Sequence, residues 1–294
     1  MINKSILIAA LARDCNDSII RNIPKIELLR KEFKESHVVV IENDSKDGTK
    51  ETLKRWEKES SCVKIIMNDF GTVTIPQQSE TMKSPSTSMH RISKMAKYRN
   101  IYMDYARNAS FKIDYLIIID IDIENFSVEG IIKSIKNAPN DWGALFANGF
   151  TSFHGFLPNY YDMFAYIDES MKATSPTSSS LYHKKRELNK LLKCNEYINC
   201  VSAFGGIGIY KWELIKELYY NAEANNASKV FEAICEHIPF NRNIAENGHR
   251  NYICRKMKVK YGNRDFKDLL IYTLIPESIF KTIYFITKRR RFKD

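Results

Sequence analysis

The sequence contains no Gly-x-x-x-x-Gly-Lys-Ser/Thr stretch, which excludes the backbone-amide cradle that P-loop proteins wrap around phosphates. Its six cysteines, Cys15, Cys62, Cys194, Cys200, Cys235 and Cys254, never form a Cys-x-x-Cys pair. That spacing excludes a zinc knuckle and suggests no disulfide framework, so they are read as reduced and structural. No uninterrupted run of about 20 apolar residues exists, because the most apolar region, Leu269 to Ile286, is broken by Pro276, Glu277 and Lys281. A transmembrane helix is therefore not expected. Met1-Ile2-Asn3-Lys4-Ser5 passes directly into Ile6-Leu7-Ile8-Ala9-Ala10 without the length or cleavage pattern of a secretory leader, so a cytoplasmic location is expected. The sequence also lacks internal repeats, zinc-finger spacing and the aromatic-and-basic interleaving of RNA-binding segments, and no nucleic-acid partner is expected.

What is present is enough for one large α/β core: 294 residues, 44% hydrophobic and 27% charged. The formal charge of +10 favours a polyanionic partner, an anionic membrane face or a phosphate-rich substrate. Much of it lies in His183-Lys184-Lys185-Arg186 and in Lys288-Arg289-Arg290-Arg291-Phe292-Lys293. Before the second cluster, Pro276 fits the first turn of a helix that places Ile279, Phe280, Ile283 and Ile286 on one face. Residues 263–294 are thus expected to form a basic amphipathic extension. Two readings stay open for it: peripheral attachment to an anionic membrane surface on its inner side, or packing on the protein's own core with a solvated Arg run.

The remaining 1–262 alternate strand and helix signals: a strand over 5–12, a helix over 17–36, a strand over 37–41, a helix over 50–60 and a strand over 62–67. Alternation of this kind predicts a doubly wound, mostly parallel sheet with flanking helices and functional groups at the carboxyl ends of its strands. Polar stretches over 71–89 and 174–180 read as loops. The apolar run Tyr115-Leu116-Ile117-Ile118-Ile119 reads as a buried strand that ends in Asp120-Ile121-Asp122. Strand side chains repeat with period two, so the two carboxylates share a side, roughly 6–7 Å apart if the strand continues and closer if it turns. Such a pair suits a hard divalent ion that completes its shell with water and phosphate oxygens. Strand-end acids capping a turn are the alternative.

Several motifs in order carry a resemblance. Val40-Ile41-Glu42-Asn43-Asp44-Ser45-Lys46-Asp47-Gly48-Thr49, then Arg91-Ile92-Ser93-Lys94-Met95-Ala96-Lys97-Tyr98-Arg99-Asn100, then Asp120-Ile121-Asp122 follow one another. Beyond them come Tyr160-Tyr161-Asp162, Phe204-Gly205-Gly206-Ile207-Gly208-Ile209-Tyr210 and Cys235-Glu236-His237. Their order resembles that of GT-A fold glycosyltransferases of the family 2-like kind, particularly fungal capsule-associated mannosyltransferases and their bacterial relatives. The agreement covers residues 5 to 262. The resemblance implies a GT-A domain, a nucleotide-sugar donor, a glycan or lipid-linked glycan acceptor in surface-polysaccharide synthesis, and a Mn2+ or Mg2+ cofactor.

It also implies roles. Asp120 and Asp122 would hold the metal, with His237 as a third ligand or a hydrogen-bond partner of phosphate, and His249 as a weaker metal candidate. Ala10, Arg13, Glu42, Asn43, Asp47, Arg99, Asp120, Gly205 and Gly206 would contact the donor. Glu42 stands where an Asp is commoner, so a longer arm has to fit the base or ribose contact. Glu236 would be the general base, with Asp162 as its substitute. Gly205-Gly206 either lets backbone approach the sugar or makes a plain tight turn. A haloacid-dehalogenase-type phosphatase also follows a strand with Asp-x-Asp, but here Ile123-Glu124-Asn125 follows and no later Asp-Asp pair appears. A sugar nucleotidyltransferase would carry a glycine-rich basic start, absent from Ala9-Ala10-Leu11-Ala12-Arg13. An inactive membrane-docked scaffold of the same fold is the remaining alternative.

Overall fold

A computed structural model describes residues 1–71, 85–153, 156–171, 178–228 and 231–263. The expectation for the extension over 263–294 falls, apart from Asn263, outside the described residues. In chain order the elements are β1 (Ile2–Ala12), α1 (Asn16–Arg30), β2 (Phe33–Glu42), α2 (Thr49–Glu59), β3 (Val63–Met67), α3 (Met89–Arg107) and β4 (Tyr115–Asp120). They continue as β5 (Asn125–Phe126), α4 (Val128–Lys136), β6 (Trp142–Phe153), β7 (Phe156–Tyr160), α5 (Ser178–Cys194) and β8 (Tyr197–Cys200). The last are β9 (Ile207–Lys211), α6 (Trp212–Ile215), α7 (His237–Glu246) and β10 (Arg250–Asn263).

One sheet runs β3-β2-β1-β4-β9-β6-β10-β5, with β7 paired to β6 and β8 to β10. Its first four strands are parallel, as the βαβ alternation predicts. Beyond β4 the sheet becomes mixed, with β9 antiparallel to both β4 and β6, and β6 parallel to β10. The strands are buried on both faces, and their period-two alternation sorts the apolar side chains. Leu7, Ala9, Val39, Leu116 and Ile118 face α3 and α7, whereas Ile6, Ile8, Val38, Ile117 and Ile119 face α1, α2 and α4.

The first helix is shorter than its apolar pattern suggests. It ends at Arg30, and Phe33 opens β2 as a buried strand residue. The Arg30 guanidinium donates to the carbonyls of Ser61 (2.6 Å) and Ser36 (3.3 Å) and to Glu27 (2.7 Å), which ties the helix end to the entries of β2 and β3. A helix-period reading over 17–36 counted Phe33 on a face that tertiary pairing had assigned to the sheet. Ser88 and Ser127 cap α3 and α4 by accepting from the N–H groups of Arg91 and Gly130.

Two fully buried asparagines brace the segment that leads into the Gly205-Gly206 turn. Asn241 on α7 donates to Ser202 Oγ (3.1 Å) and the Ala203 carbonyl (2.9 Å), and accepts from the Tyr210 hydroxyl (3.1 Å). Asn251 on β10 donates to the carbonyls of Val201 (2.9 Å) and Asn241 (3.0 Å). Each bond satisfies a group that burial would otherwise leave without water. Asn241→Ala is expected to destabilise the fold by about 2–4 kcal/mol, because three buried partners lose their bonds together; urea denaturation measures it.

Candidate functional site

The carboxyl ends of β1 and β4, the first half of α3, Phe204 just ahead of β9 and the start of α7 enclose a cleft of about 800 Å³. Such a position, outside the strand ends of an α/β sheet, is where ligands bind in this architecture. Among the residues assigned from sequence, Arg13, Asn43, Arg99, Asp120, Asp122, Asp162, Glu236 and His237 line it. Ala10, Glu42, Asp47, Gly205 and Gly206 do not, and neither does His249.

β4 ends at Asp120 and the chain turns at Ile121-Asp122, so the carboxylates do not follow strand alternation. The turn is clamped from below. Fully buried Asn22 of α1 donates to the carbonyls of Ile121 (2.9 Å) and Ile123 (2.8 Å). Asp120 is held from two sides: its N–H donates to the Gly206 carbonyl (2.9 Å), and its Oδ2 accepts from the Tyr261 hydroxyl (2.9 Å). Burial, then the Asp122 charge, push the Asp120 carboxyl up to about 7 against the opposing pull of Arg99 and Tyr261. Burial raises Asp122 as well.

Across the cleft, Arg99 Nε donates to Glu236 Oε1 at 2.9 Å in an ion pair with both side chains almost completely buried. The guanidinium also lies 5.5 Å from the Phe204 ring and 5.7 Å from the Tyr220 ring. Burial alone would pull Arg99 down, but the Tyr102, Glu236, Tyr220 and Asp120 side chains together hold it well above the ordinary arginine range. Asp162 makes no such pair among the described residues. Its Oδ2 accepts from the Gly205 N–H (3.0 Å), and burial raises its proton affinity despite that bond.

The glycine turn explains itself through this geometry. Gly205 has φ +64°, and a Cβ there would lie 2.2 Å from the Ala147 carbonyl oxygen. Its N–H holds Asp162 while the next carbonyl holds Asp120, so the tight-turn reading fits and the glycines position two carboxylates.

Glu42 is fully buried; Oε1 accepts from the Ser45 N–H (2.9 Å), and Oε2 has no partner among the described residues. Asp47 accepts from Thr49 Oγ1 (2.6 Å) and from the Asn16 N–H (3.0 Å), which joins the loops after β1 and β2. Asp14 (φ +46°) donates its N–H to Ser45 Oγ (3.0 Å) and accepts from the Lys46 N–H (2.7 Å), a second stitch. Ala10 packs in the core. His237 is buried, stacked on Phe204 at 4.1 Å and edge-on to Tyr220. Burial, then the Arg99 charge, hold its imidazole well below the usual range, so it is neutral, and neither ring nitrogen has a partner among the described residues. It adjoins Glu236 but does not converge with Asp120 and Asp122: among the described residues no three His, Cys, Asp or Glu side chains gather as metal ligands.

Tyr161 and Arg91 also line the cleft; they stand in motifs that carry the resemblance, but with no role assigned, and Tyr261 stands in none of them. Tyr261 lies on β10, 141 residues from the Asp120 it bonds, and no local pattern marks it.

A raised carboxyl value fixes the sign of a pH effect. Between about pH 4 and about 7 the fold keeps a proton on Asp120 that the unfolded chain has released, so this site's contribution to stability falls as pH rises through that window. Asp120→Asn keeps an acceptor for Tyr261 and cannot ionise. With chelator present it is expected to equal the parent near pH 4 and to exceed it at pH 8 by up to about 4 kcal/mol, read by urea denaturation.

A family model described as Cryptococcal mannosyltransferase 1 matches residues 5–242. Comparison of the sequence with curated proteins gives no match. Among solved structures, GalNAc-T7 with UDP, GalNAc and Mn2+ is similar at 14% identity and TM-score 0.50, covering 89% of this chain and 44% of that one. The mannosyltransferase PcManGT from Pyrobaculum calidifontis with GDP-Man and Mn2+ is similar at 12% identity and TM-score 0.49, covering 88% and 57%. The S. aureus TarS segment 1–349 with UDP-GlcNAc follows at 13% identity and TM-score 0.48, covering 89% and 59%. This chain therefore spans less than two thirds of each, and the likeness is one of fold: the GT-A architecture.

Proposed function

The chain belongs to the Cryptococcal mannosyltransferase 1 family, and we propose that it is a metal-dependent glycosyltransferase moving a sugar from a nucleotide-sugar donor to a glycan or lipid-linked glycan acceptor. The observation that carries this reading is the carboxylate pair at the end of β4, held at one wall of the cleft with Asp162 near enough for its charge to act on Asp120. The donor set fits Mn2+ or Mg2+. Two carboxylates whose proton affinity is raised supply hard oxygens and leave the rest of the shell to water and diphosphate, and three converging protein ligands are not needed. The similar GalNAc-T7, solved with UDP, GalNAc and Mn2+, agrees with that choice. Once bound, the ion would act as a Lewis acid for charge growing on the departing diphosphate.

The chain's own residues would do the rest. Arg13 at the cleft wall offers positive charge to the phosphates, and Asn43 lines the same side. Arg99 is already committed to Glu236, so it serves mainly to hold that carboxylate and to offset the charge of Asp120. For an inverting displacement, Asp162 is the better base of the two candidates. The Glu236 carboxylate is taken up by the Arg99 guanidinium, whereas Asp162 has a raised proton affinity and no ion pair among the described residues. The acceptor hydroxyl would pass its proton to Asp162 as its oxygen bonds the anomeric carbon and the electron pair of the breaking bond leaves with the diphosphate. A role in capsule, lipopolysaccharide or other surface-polymer synthesis belongs to this proposal. So does peripheral attachment through residues 263–294; among the described residues no helix is long and apolar enough to cross a membrane.

A donor panel tested by calorimetry with Mn2+ and Mg2+ should give metal-dependent binding of at least one nucleotide sugar. Asp122→Asn is expected to remove transfer with an unchanged circular-dichroism spectrum; full activity in that variant would sink the metal role. Asp162→Asn should lower kcat by about 10² to 10⁴ while donor affinity stays within a few-fold. Glu236→Gln is expected instead to lose about 3 kcal/mol of stability, because it strands a buried guanidinium. Equal loss of kcat and donor affinity in Asp162→Asn would argue for a binding role. Truncation before Glu277 should abolish salt-sensitive binding to anionic vesicles in co-sedimentation, whereas loss of fold would favour core packing.

A further inference from the structure

The cleft holds one aromatic surface that the mechanism above leaves unused. Tyr161 follows β7 and lines the cleft, yet it is 49% exposed. Its ring lies against that of Tyr261 with centroids 4.1 Å apart and planes 31° from parallel. Its backbone is fixed on both sides, since its N–H donates to the Gly149 carbonyl (2.9 Å) and its carbonyl accepts from the Met163 N–H (2.9 Å). Tyr261 in turn donates to Asp120. The result is a rigid aromatic plane, covered on one side, open on the other, and joined by contact to the carboxylate pair.

A polar donor stands beside it. Arg91 of α3 lines the cleft and lies near enough for its charge to act on the Tyr161 phenol. Its Nη1 donates to the Ser86 carbonyl (3.2 Å), and its Nε is buried with no partner among the described residues. An aromatic plane with a hydrogen-bond donor at its edge matches a pyranose ring, which has an apolar C–H face and a rim of hydroxyls. A prenyl or acyl chain would instead need a continuous apolar channel, whereas the neighbours here are Asp120, Asp162 and Arg91.

We propose that the open face of Tyr161 is the platform on which the pyranose ring of the acceptor stacks, with Arg91 hydrogen-bonded at its rim. This rests on the transferase reading and adds a docking point to it. The electrostatics support the placement, because Asp162, the proposed proton acceptor, lies near enough for its charge to act on the Tyr161 phenol and lines the same cleft. A ring lying on Tyr161 is thereby brought to the neighbourhood of the carboxylate that has to receive the proton.

The test uses the full chain with diamagnetic Mg2+ and a nucleoside diphosphate, and reads saturation-transfer NMR of methyl pyranosides of mannose, glucose and galactose against the open-chain alditols mannitol and glucitol. At least one pyranoside should bind, with the strongest transfer to C–H protons of one ring face, and the alditols should not. Tyr161→Phe should keep that affinity within about twofold, and Tyr161→Ala should lower it about tenfold. If Tyr161→Ala does not fold, Tyr161→Leu, which keeps an apolar contact on Tyr261, should show the same loss. The platform is refuted if pyranosides bind Tyr161→Ala as well as the parent, if alditols bind equally, or if only a prenyl phosphate or a serine peptide binds. Calorimetry of Mg2+ and nucleoside diphosphate on the same samples separates the two readings: no binding there overturns the transferase and the platform together, whereas normal binding with no pyranoside signal overturns the platform alone.

Discussion

One buried guanidinium governs the electrostatics of this cleft. Arg99 stands within reach of the fields of Glu236, Asp120, Asp122 and Asp162, and of these four carboxylates Glu236 alone bonds it among the described residues. One positive charge cannot balance four carboxylates in a poorly hydrated site. The imbalance falls on the carboxylates without an ion pair, whose proton affinities all rise, and most on Asp120, where Asp122 adds its repulsion. Proton affinity in such a place is an affinity for positive charge in general. A divalent cation that brings its own phosphate oxygens competes for the same seat, which is why the electrostatics and the proposed chemistry point the same way.

The framework around that charge is apolar and was largely readable from the sequence. Ile6 and Ile8 against Leu7 and Ala9 announce a strand buried on two faces, and the run before Asp120 announces another. Their adjacency in a parallel sheet follows from the βαβ rhythm. The end of α1 was not readable, because Phe33 satisfies both a helical and an alternating pattern and the choice is made by Arg30 reaching one carbonyl in β2 and one just before β3. Equally hidden was the turn at Asp122, which depends on a single amide from Asn22 about a hundred residues earlier.

Roles proved harder to read than places. Glu236 and Arg99 were each singled out, but their pairing across 137 residues turns a free base and a free phosphate ligand into one neutral unit. Asp162 and the Gly205-Gly206 turn lie 43 residues apart in sequence and share one hydrogen bond, so the glycines matter for what they hold in place. Contacts of this range leave no periodic trace, and they decide which carboxylate is bonded to a guanidinium and which to a backbone amide.

The double stitch between the loops after β1 and β2 has a mechanical consequence. Asp14 and Asp47 each span from one loop to the other, and the Cys15 N–H adds a third tie by donating to Thr49 Oγ1. The two loops form a single stiff jaw anchored in four parallel strands. A displacement of either loop toward a bound cargo therefore has to carry the other with it, so this side of the cleft answers as one body.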